Sequence, residues 1–253
     1  MALTHIDLNA DLGETEGDYL DLLNVVSSAN VACGAHAGGG ELLRDTVAAA
    51  IKRGVQVGAH PSYQDRENFG RVSMRASITE VELREILIDQ VNQVKNTLIE
   101  FGSNLSHIKA HGALYNDAMV FADTANVLCN VAAFFEVPIL GLPGSTLETQ
   151  AQIEGVQFIA EGFLDRAFTE SGRLVPRSEE GAVLNHEQAL EQAKLIVLHG
   201  EVKTNSGAKI KLPIRTVCVH ADTAEASKMA HDVKVMLEQN GVEIVPFSKA
   251  ANS

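Results

Sequence analysis

The feature that most constrains this chain is the alternation, from end to end, of short apolar runs with longer stretches of helical periodicity. The apolar runs fall at residues 5–9, 24–32, 55–59, 107–110, 138–142, 156–160 and 216–219, with a late one at 243–246. Runs this short, bounded by turn residues, read as strands. Between them, residues 41–53 place Leu43, Val47 and Ala50 on one face, and Gly54 follows as a natural stop. Residues 78–101 repeat Leu83, Leu87, Val91, Val94, Leu98 and Phe101 at steps of four and three. There Ser77-Ile78-Thr79-Glu80 reads as a capping-box start and Gly102 as the end. Further helical stretches cover residues 119–135, 186–199 and 223–240. Strand followed by helix over the whole length predicts an α/β fold, a parallel sheet with helices packed outside.

Two such architectures compete, an open doubly wound sheet and a closed barrel of seven or eight strands. The first turn, Asn9-Ala10-Asp11-Leu12-Gly13-Glu14, has one glycine and two carboxylates, which repel a pyrophosphate. No GxxxxGK[ST] loop occurs either. The ends of the runs favour the barrel. They carry Asp11 and Glu14, then Asn30 leading to His36, then His60, then Lys109 and His111, then Glu161, Asp165 and Arg166, then His220 and Asp222. In a parallel barrel these carboxyl ends surround one mouth, so residues 200 positions apart converge.

Each residue also has a bland interpretation. Asp222 precedes Thr223-Ala224-Glu225 and suits an N-cap, and Glu14 and Asp18 suit solvated loop charges. His5, His107, His186, His199 and His231 read as ordinary hydrogen-bonded histidines. The case for Asp11, His36, His60 and His111 rests on their shared location. Such a set either holds a divalent metal that activates water or works metal-free as acid and base. No HxH or HExxH spacing points to the metal, and no GxSxG elbow points to a serine nucleophile. Cys33 and Cys218 lie in apolar surroundings and read as inert core thiols. Ser145 reads as a helix N-cap. The loops at 61–76 and 164–181 carry Arg71, Arg166, Arg173 and Arg177, suited to clamping a carboxylate or phosphate. Residues 203–211 read as an exposed hairpin.

Composition narrows the partners. A net charge of −13 argues against nucleic acid and against an anionic membrane surface. No run of about 18 apolar residues predicts a membrane span. The N-terminus lacks the pattern of a signal peptide, and three isolated cysteines suit a reducing cytoplasm. Tryptophan is absent and aromatics are 5%, a poor supply for stacking sugars or single strands.

Several long motifs then carry a family resemblance. They are Asp7-Leu8-Asn9-Ala10-Asp11-Leu12-Gly13-Glu14, Ser28-Ala29-Asn30-Val31-Ala32-Cys33-Gly34-Ala35-His36 and Gly58-Ala59-His60-Pro61-Ser62-Tyr63. Asn68-Phe69-Gly70-Arg71, Lys109-Ala110-His111-Gly112-Ala113-Leu114-Tyr115-Asn116 and Glu161-Gly162-Phe163-Leu164-Asp165-Arg166 continue it, with Leu174-Val175-Pro176-Arg177 and Cys218-Val219-His220-Ala221-Asp222. Over nearly its whole length the chain resembles the LamB/YcsF family, the A subunit of ATP-dependent bacterial 5-oxoprolinase. It departs from the commoner residues at Ala10, Val72, Leu164, Phe168 and Ala221, changes that leave every proposed ionisable residue in place.

The resemblance implies one domain over residues 1–253, a distorted (β/α) barrel of about seven strands related to glycoside hydrolase/deacetylase barrels. It implies hydrolysis of 5-oxo-L-proline to L-glutamate coupled to ATP hydrolysis, with partner subunits B and C. Lacking a nucleotide loop, this chain is expected to leave ATP activation to the partners and to hydrolyse the activated ring. The expected catalytic set is Asp11, His60, His111, His36 and Lys109. Asn9, Glu14, Asn30, Arg71, Glu161, Asp165, Arg166, Arg177, His220 and Asp222 are expected to hold the substrate. A divalent metal and self-association stay open. So do two alternatives, a metal-dependent amide or carbohydrate deacetylase on the same barrel and a non-catalytic scaffold.

Overall fold

Strand β1 (His5–Leu12) alternates apolar Ile6, Leu8, Ala10 and Leu12 with polar Asp7, Asn9 and Asp11, and all seven are buried. Successive side chains of a strand point to opposite faces, so one face packs under helices and the other lines the inside of the sheet with polar groups. The computed structural model describes residues 3–17, 19–220 and 226–250, without the side chains of Tyr19, His220 and Ala250. After β1 come α1 (Tyr19–Leu22), β2 (Ser28–Ala32), α2 (Gly40–Lys52), β3 (Gln56–His60) and α3 (Glu80–Glu100). Next are α4 (Gly112–Ala118), α5 (Ala122–Phe135), β4 (Ile139–Gly141), α6 (Thr146–Glu154), β5 (Phe158–Phe163) and α7 (His186–His199). The chain continues with β6 (Glu201–Lys203), β7 (Lys209–Lys211), β8 (Thr216–His220), α8 (Ala226–Gln239), β9 (Glu243–Ile244) and α9 (Phe247–Ala250).

The sheet runs β3-β2-β1-β8-β5-β4, with every pair parallel, and β9 joins β1 at His5 and Ile6. Residue 108 closes the curl. Ile108 bridges Ala59 of β3 on one side and Ile139 of β4 on the other. Lys109 N–H donates to Ala59 O at 3.0 Å, and Leu140 N–H donates to Ile108 O at 2.9 Å. This is the distorted barrel, with the 107–110 run reduced to a bridge between its two edges. One large core lies between the sheet and the helices around it.

The local signals explain most boundaries. Thr79, not Ser77, caps α3. Its hydroxyl accepts from Glu82 N–H, and the Glu82 carboxylate accepts from Thr79 N–H. Ser77 is otherwise engaged, donating to Met74 O. Ser145 caps α6, accepting from Glu148 N–H at 3.1 Å. The 24–32 run enters the sheet only at Ser28, because Val25 and Val26 N–H donate to Leu22 O and finish a turn. The single helix expected over 119–135 begins at Ala122, after α4, and the two helix axes meet at 108°. The expected 203–211 hairpin forms as β6 and β7, pairing Glu201 with Lys211. The 164–181 loop is more ordered than its aperiodic sequence suggests, held by bridges Arg166↔Val183 and Phe168↔Leu174. Among the described residues no single helix is long and apolar enough to cross a membrane. The Asp222 N-cap lies outside the described residues.

Candidate active site

Inside the barrel the polar face of β1 builds a column. At its base Asp7 accepts from Ser27 Oγ at 2.7 Å and Ser28 Oγ at 2.6 Å, and from Thr216. Burial pushes its carboxyl pKa up, against the pull of those hydroxyls. One layer higher, Asn9 donates to Glu161 Oε1 at 3.0 Å and Thr216 Oγ1 at 2.7 Å, and accepts from Asn30 at 2.7 Å. Asn30 also donates to Asp11 Oδ1 at 2.8 Å, while His107 donates to Asn30 Oδ1 at 2.7 Å. His107 thereby fixes which way the Asn30 amide faces. Its imidazole fits because residue 58 is glycine: a Cβ there would lie 2.3 Å from the ring.

At the top of the column stands Lys109. Its Nζ is 2.9 Å from Asp11 Oδ1, 3.0 Å from Glu161 Oε1 and 3.0 Å from Cys218 Sγ. Burial works against the ammonium, but Asp11, Cys218 and Glu161 hold its pKa well above the usual value. The Cys218 thiol is itself pushed well up by burial, and burial takes the Cys33 thiol up to about 12. Both are free, buried thiols, but Cys218 touches the Lys109 ammonium rather than the apolar surroundings expected of it.

Beside Asp11 lie three imidazoles. His60 ends β3, His111 is the N-cap residue of α4, and His36 sits in the turn after β2. His60 Nε2 is 3.3 Å from Asp11 Oδ2 and 3.1 Å from His111 Nδ1. His36 and His111 stack with ring centroids 3.7 Å apart. Glu14, in the loop after β1, places Oε1 3.0 Å from His36 Nε2 and 3.2 Å from His111 Nδ1. Burial pushes the His36 pKa down to about 4 and lowers that of His111. Glu14, His36, His60 and His111 form a group able to hold a metal ion. Glu14 is therefore no solvated loop charge: its side chain is 11% exposed.

The 61–76 loop is built into this site. Ser62 N–H donates to Gln90 Oε1, and Gln90 Nε2 returns a bond to Ser62 O. Phe69 adopts φ 55°, unusual for a bulky residue, and its carbonyl accepts from His111 Nε2 at 2.9 Å. Gly70, at φ 64°, passes so close that a Cβ would come 3.0 Å from His36 Cβ and 3.1 Å from His111 Cδ2.

Above the column opens a cavity of about 520 Å³. Asp11, Glu14, His60, Lys109 and His111 line it on one side, and Met119, Leu142, Phe163, Leu174 and Val175 supply apolar wall. Arg71, Arg166, Arg173 and Arg177 also line it. Arg71 and Arg173 are exposed, whereas Arg166 is buried and donates to Val175 O at 2.6 Å, fastening the loop. Asn9, Asn30 and Glu161 do not meet the cavity as substrate contacts would. They are fully buried and hold Lys109 and Asp11 in place. Asp165 is buried and is not among the lining residues. His220 pairs with Asp11 through the strand backbone. Its side chain and Asp222 lie outside the described residues.

Sequence reasoning gives Tyr115 no role, yet it lines the cavity one helical turn beyond His111. Its buried hydroxyl faces the Glu161 carboxylate. Burial, then the Glu161 charge, pushes the phenol pKa well up. Spacing from His111 within α4 is the only sequence signal that could have marked it.

Arg71, Arg173 and Arg177 can hold a small anion in the cavity, and Asp11 and the imidazoles can deliver or remove protons. Known proteins agree with the architecture around it. Two relatives named as the A subunit of 5-oxoprolinase, from Nocardia farcinica and Streptomyces avermitilis, are each 39% identical over 251 residues. Those alignments cover 96% of this chain and 99% and 100% of the relatives. The crystal structure of a lactam utilization protein from Thermus thermophilus superposes with a TM-score of 0.88 at 35% identity, covering 95% of this chain and 99% of that one. A family 4 carbohydrate esterase from Streptomyces lividans shares the fold alone, with a TM-score of 0.50 at 10% identity over 96% of this chain and 93% of that one. The profile of the LamB/YcsF family matches residues 6–252, a span that takes in the sheet from Ile6 onward and the whole polar column. This chain belongs to the LamB/YcsF family.

Proposed function

We propose that this chain is the A subunit of an ATP-dependent 5-oxoprolinase, opening the lactam of 5-oxo-L-proline to L-glutamate together with subunits B and C. The names of its relatives support the substrate. The observation that carries the chemistry is the buried Asp11–Lys109–Glu161 cluster at the wall of a cavity of about 520 Å³, a size suited to a small ligand.

A five-membered lactam is a stable amide at neutral pH. Phosphorylation of its oxygen makes the ring carbon a strong electrophile: water adds there, the ring C–N bond breaks with the nitrogen taking a proton, and a second water cleaves the resulting γ-glutamyl phosphate to glutamate and phosphate. The chain has no P-loop sequence, so the partners perform the ATP step and this chain the ring opening, in the cytoplasm where ATP is supplied. Lys109 Nζ pairs with Asp11 Oδ1 at 2.9 Å and leaves Oδ2 to the cavity side. Asp11 Oδ2, on its His60 side, takes a proton from the attacking water. Arg71 and Arg177 face the substrate carboxylate or the phosphate. Lys109 Nζ counters the charge that develops as the ring opens.

The test is glutamate release from 5-oxoproline and ATP, by this chain alone and with both partners. Activity confined to the complete mixture supports the proposal; equal activity without this chain removes it. The imidazole–carboxylate group favours a second reading, a metal-dependent amide or carbohydrate deacetylase. That enzyme would release acetate from N-acetylated substrates with no ATP and no partner.

A further inference from the structure

Lone pairs, not protons, fill the space between Glu14, His36, His60 and His111. Each imidazole has its tautomer set from the far side. His60 Nδ1 lies 2.8 Å from Lys109 O, and His111 Nε2 lies 2.9 Å from Phe69 O. A carbonyl oxygen only accepts, so both nitrogens carry hydrogen. His36 Nδ1 lies 3.0 Å from Ser62 Oγ, whose one hydrogen goes to Tyr63 O at 2.8 Å. His36 Nδ1 is therefore a donor too. A neutral imidazole has a single N–H, which leaves His36 Nε2, His60 Nε2 and His111 Nδ1 bare.

These three atoms face one another and Glu14 Oε1, which also only accepts, and His60 Nε2 further meets Asp11 Oδ2, another acceptor, at 3.3 Å. His60 Nε2 and His111 Nδ1 are 3.1 Å apart. Glu14 Oε1 is 3.0 Å from His36 Nε2, 3.2 Å from His111 Nδ1 and 3.9 Å from His60 Nε2. A proton relieves one such pair at a time; a central cation relieves all four. The four atoms lie within 4.8 Å of one another. Around zinc, bonds of about 2.05 Å give tetrahedron edges of about 3.3 Å, and the separations above straddle that length.

We propose that Glu14 Oε1, His36 Nε2, His60 Nε2 and His111 Nδ1 form a site for one divalent transition-metal ion of the zinc type. Three imidazoles with one carboxylate suit such an ion and not Mg²⁺ or Ca²⁺, which take oxygen ligands. Lys109 O, Ser62 Oγ and Phe69 O are the outer partners that aim the rings. Glu14, His60 and His111 also line the cavity, so the ion meets whatever binds there. The site stands on ligand geometry alone and does not depend on the identity of the substrate.

The test uses the full chain, stripped with a chelator and titrated with Zn²⁺ alone and with Mg²⁺ alone. Heat, thermal midpoint and metal content after desalting are recorded. One zinc retained per chain is expected, with a raised midpoint and no response to Mg²⁺. Glu14→Gln and His36→Gln each weaken zinc binding at least about tenfold, while His186→Gln, at a partly buried histidine paired with Asp232, leaves it unchanged. Substoichiometric zinc on the wild type overturns the site, as does equal affinity in the two ligand variants or an equal response to Mg²⁺. If circular dichroism shows a variant unfolded, the wild-type stoichiometry and the Mg²⁺ comparison decide. Glutamate formation plays no part, so failure here leaves the lactam proposal standing.

Discussion

Lys109 Nζ stands between two buried carboxylates, 2.9 Å from Asp11 Oδ1 and 3.0 Å from Glu161 Oε1. One buried cation holds two anions that would otherwise repel across the barrel interior. Removing one member of such a cluster leaves uncompensated buried charge, at a cost of about 3–5 kcal/mol. Lys109→Met is therefore expected to lose that much in urea unfolding at neutral pH. Stability within about 0.5 kcal/mol of wild type would mean that surface-like screening reaches the cluster.

Tyr115→Phe tests the contact between Tyr115 and Glu161. The buried hydroxyl faces the Glu161 carboxylate, and a hydrogen bond to a charged group contributes about 1.5–3 kcal/mol. The variant is expected to lose that much in denaturant unfolding at neutral pH. Stability equal to that of wild type would mean that the hydroxyl does not bond the carboxylate.

His107 gives the fold an acid limit. Burial pushes its pKa down to about 3, against about 6.5 in an unfolded chain. Between those values the unfolded chain binds the extra proton, so stability falls as pH falls. This contribution is complete above pH about 6.5 and is lost progressively towards about 3. His107→Gln should flatten the stability–pH slope in that window, measured by denaturant titration at several pH values. An unchanged slope would show that other groups set the acid limit.

Gly58 leaves room for that imidazole. Gly58→Ala puts a methyl group 2.3 Å from the ring, and overpacking of this kind costs about 1–3 kcal/mol. Thermal melts should show the loss, and His107→Ala in the same chain should relieve part of it. Additive losses would mean that the two residues do not meet.

The barrel was legible because each strand hands a polar or ionisable residue to the same end, and Asp11, His36, His60, Lys109 and His111 do meet there. What stayed hidden depends on the third dimension. The first run reads as apolar, yet Asp7 and Asn9 are buried in it, satisfied by Ser28, Thr216 and Glu161 from distant strands. The run at 107–110 joins the sheet only through bridges at Ile108, while the side chains of His107 and Lys109 reach the buried polar column. Glu14 looks like a loop charge until three histidines from separate strand ends close around it. No local spacing encodes that group. Arg166 reads as a substrate clamp, but its guanidinium also fastens Val175 and Ala182.

The most direct test of the account is Asp11→Asn in the enzyme assembled with both partners, with glutamate and phosphate release measured together and folding checked by circular dichroism. Asparagine keeps the shape of the aspartate but accepts no proton from water at that position. The account predicts a folded protein with glutamate formation lowered at least about a hundredfold, the range lost with a general base. Glutamate formed at the wild-type rate would contradict it.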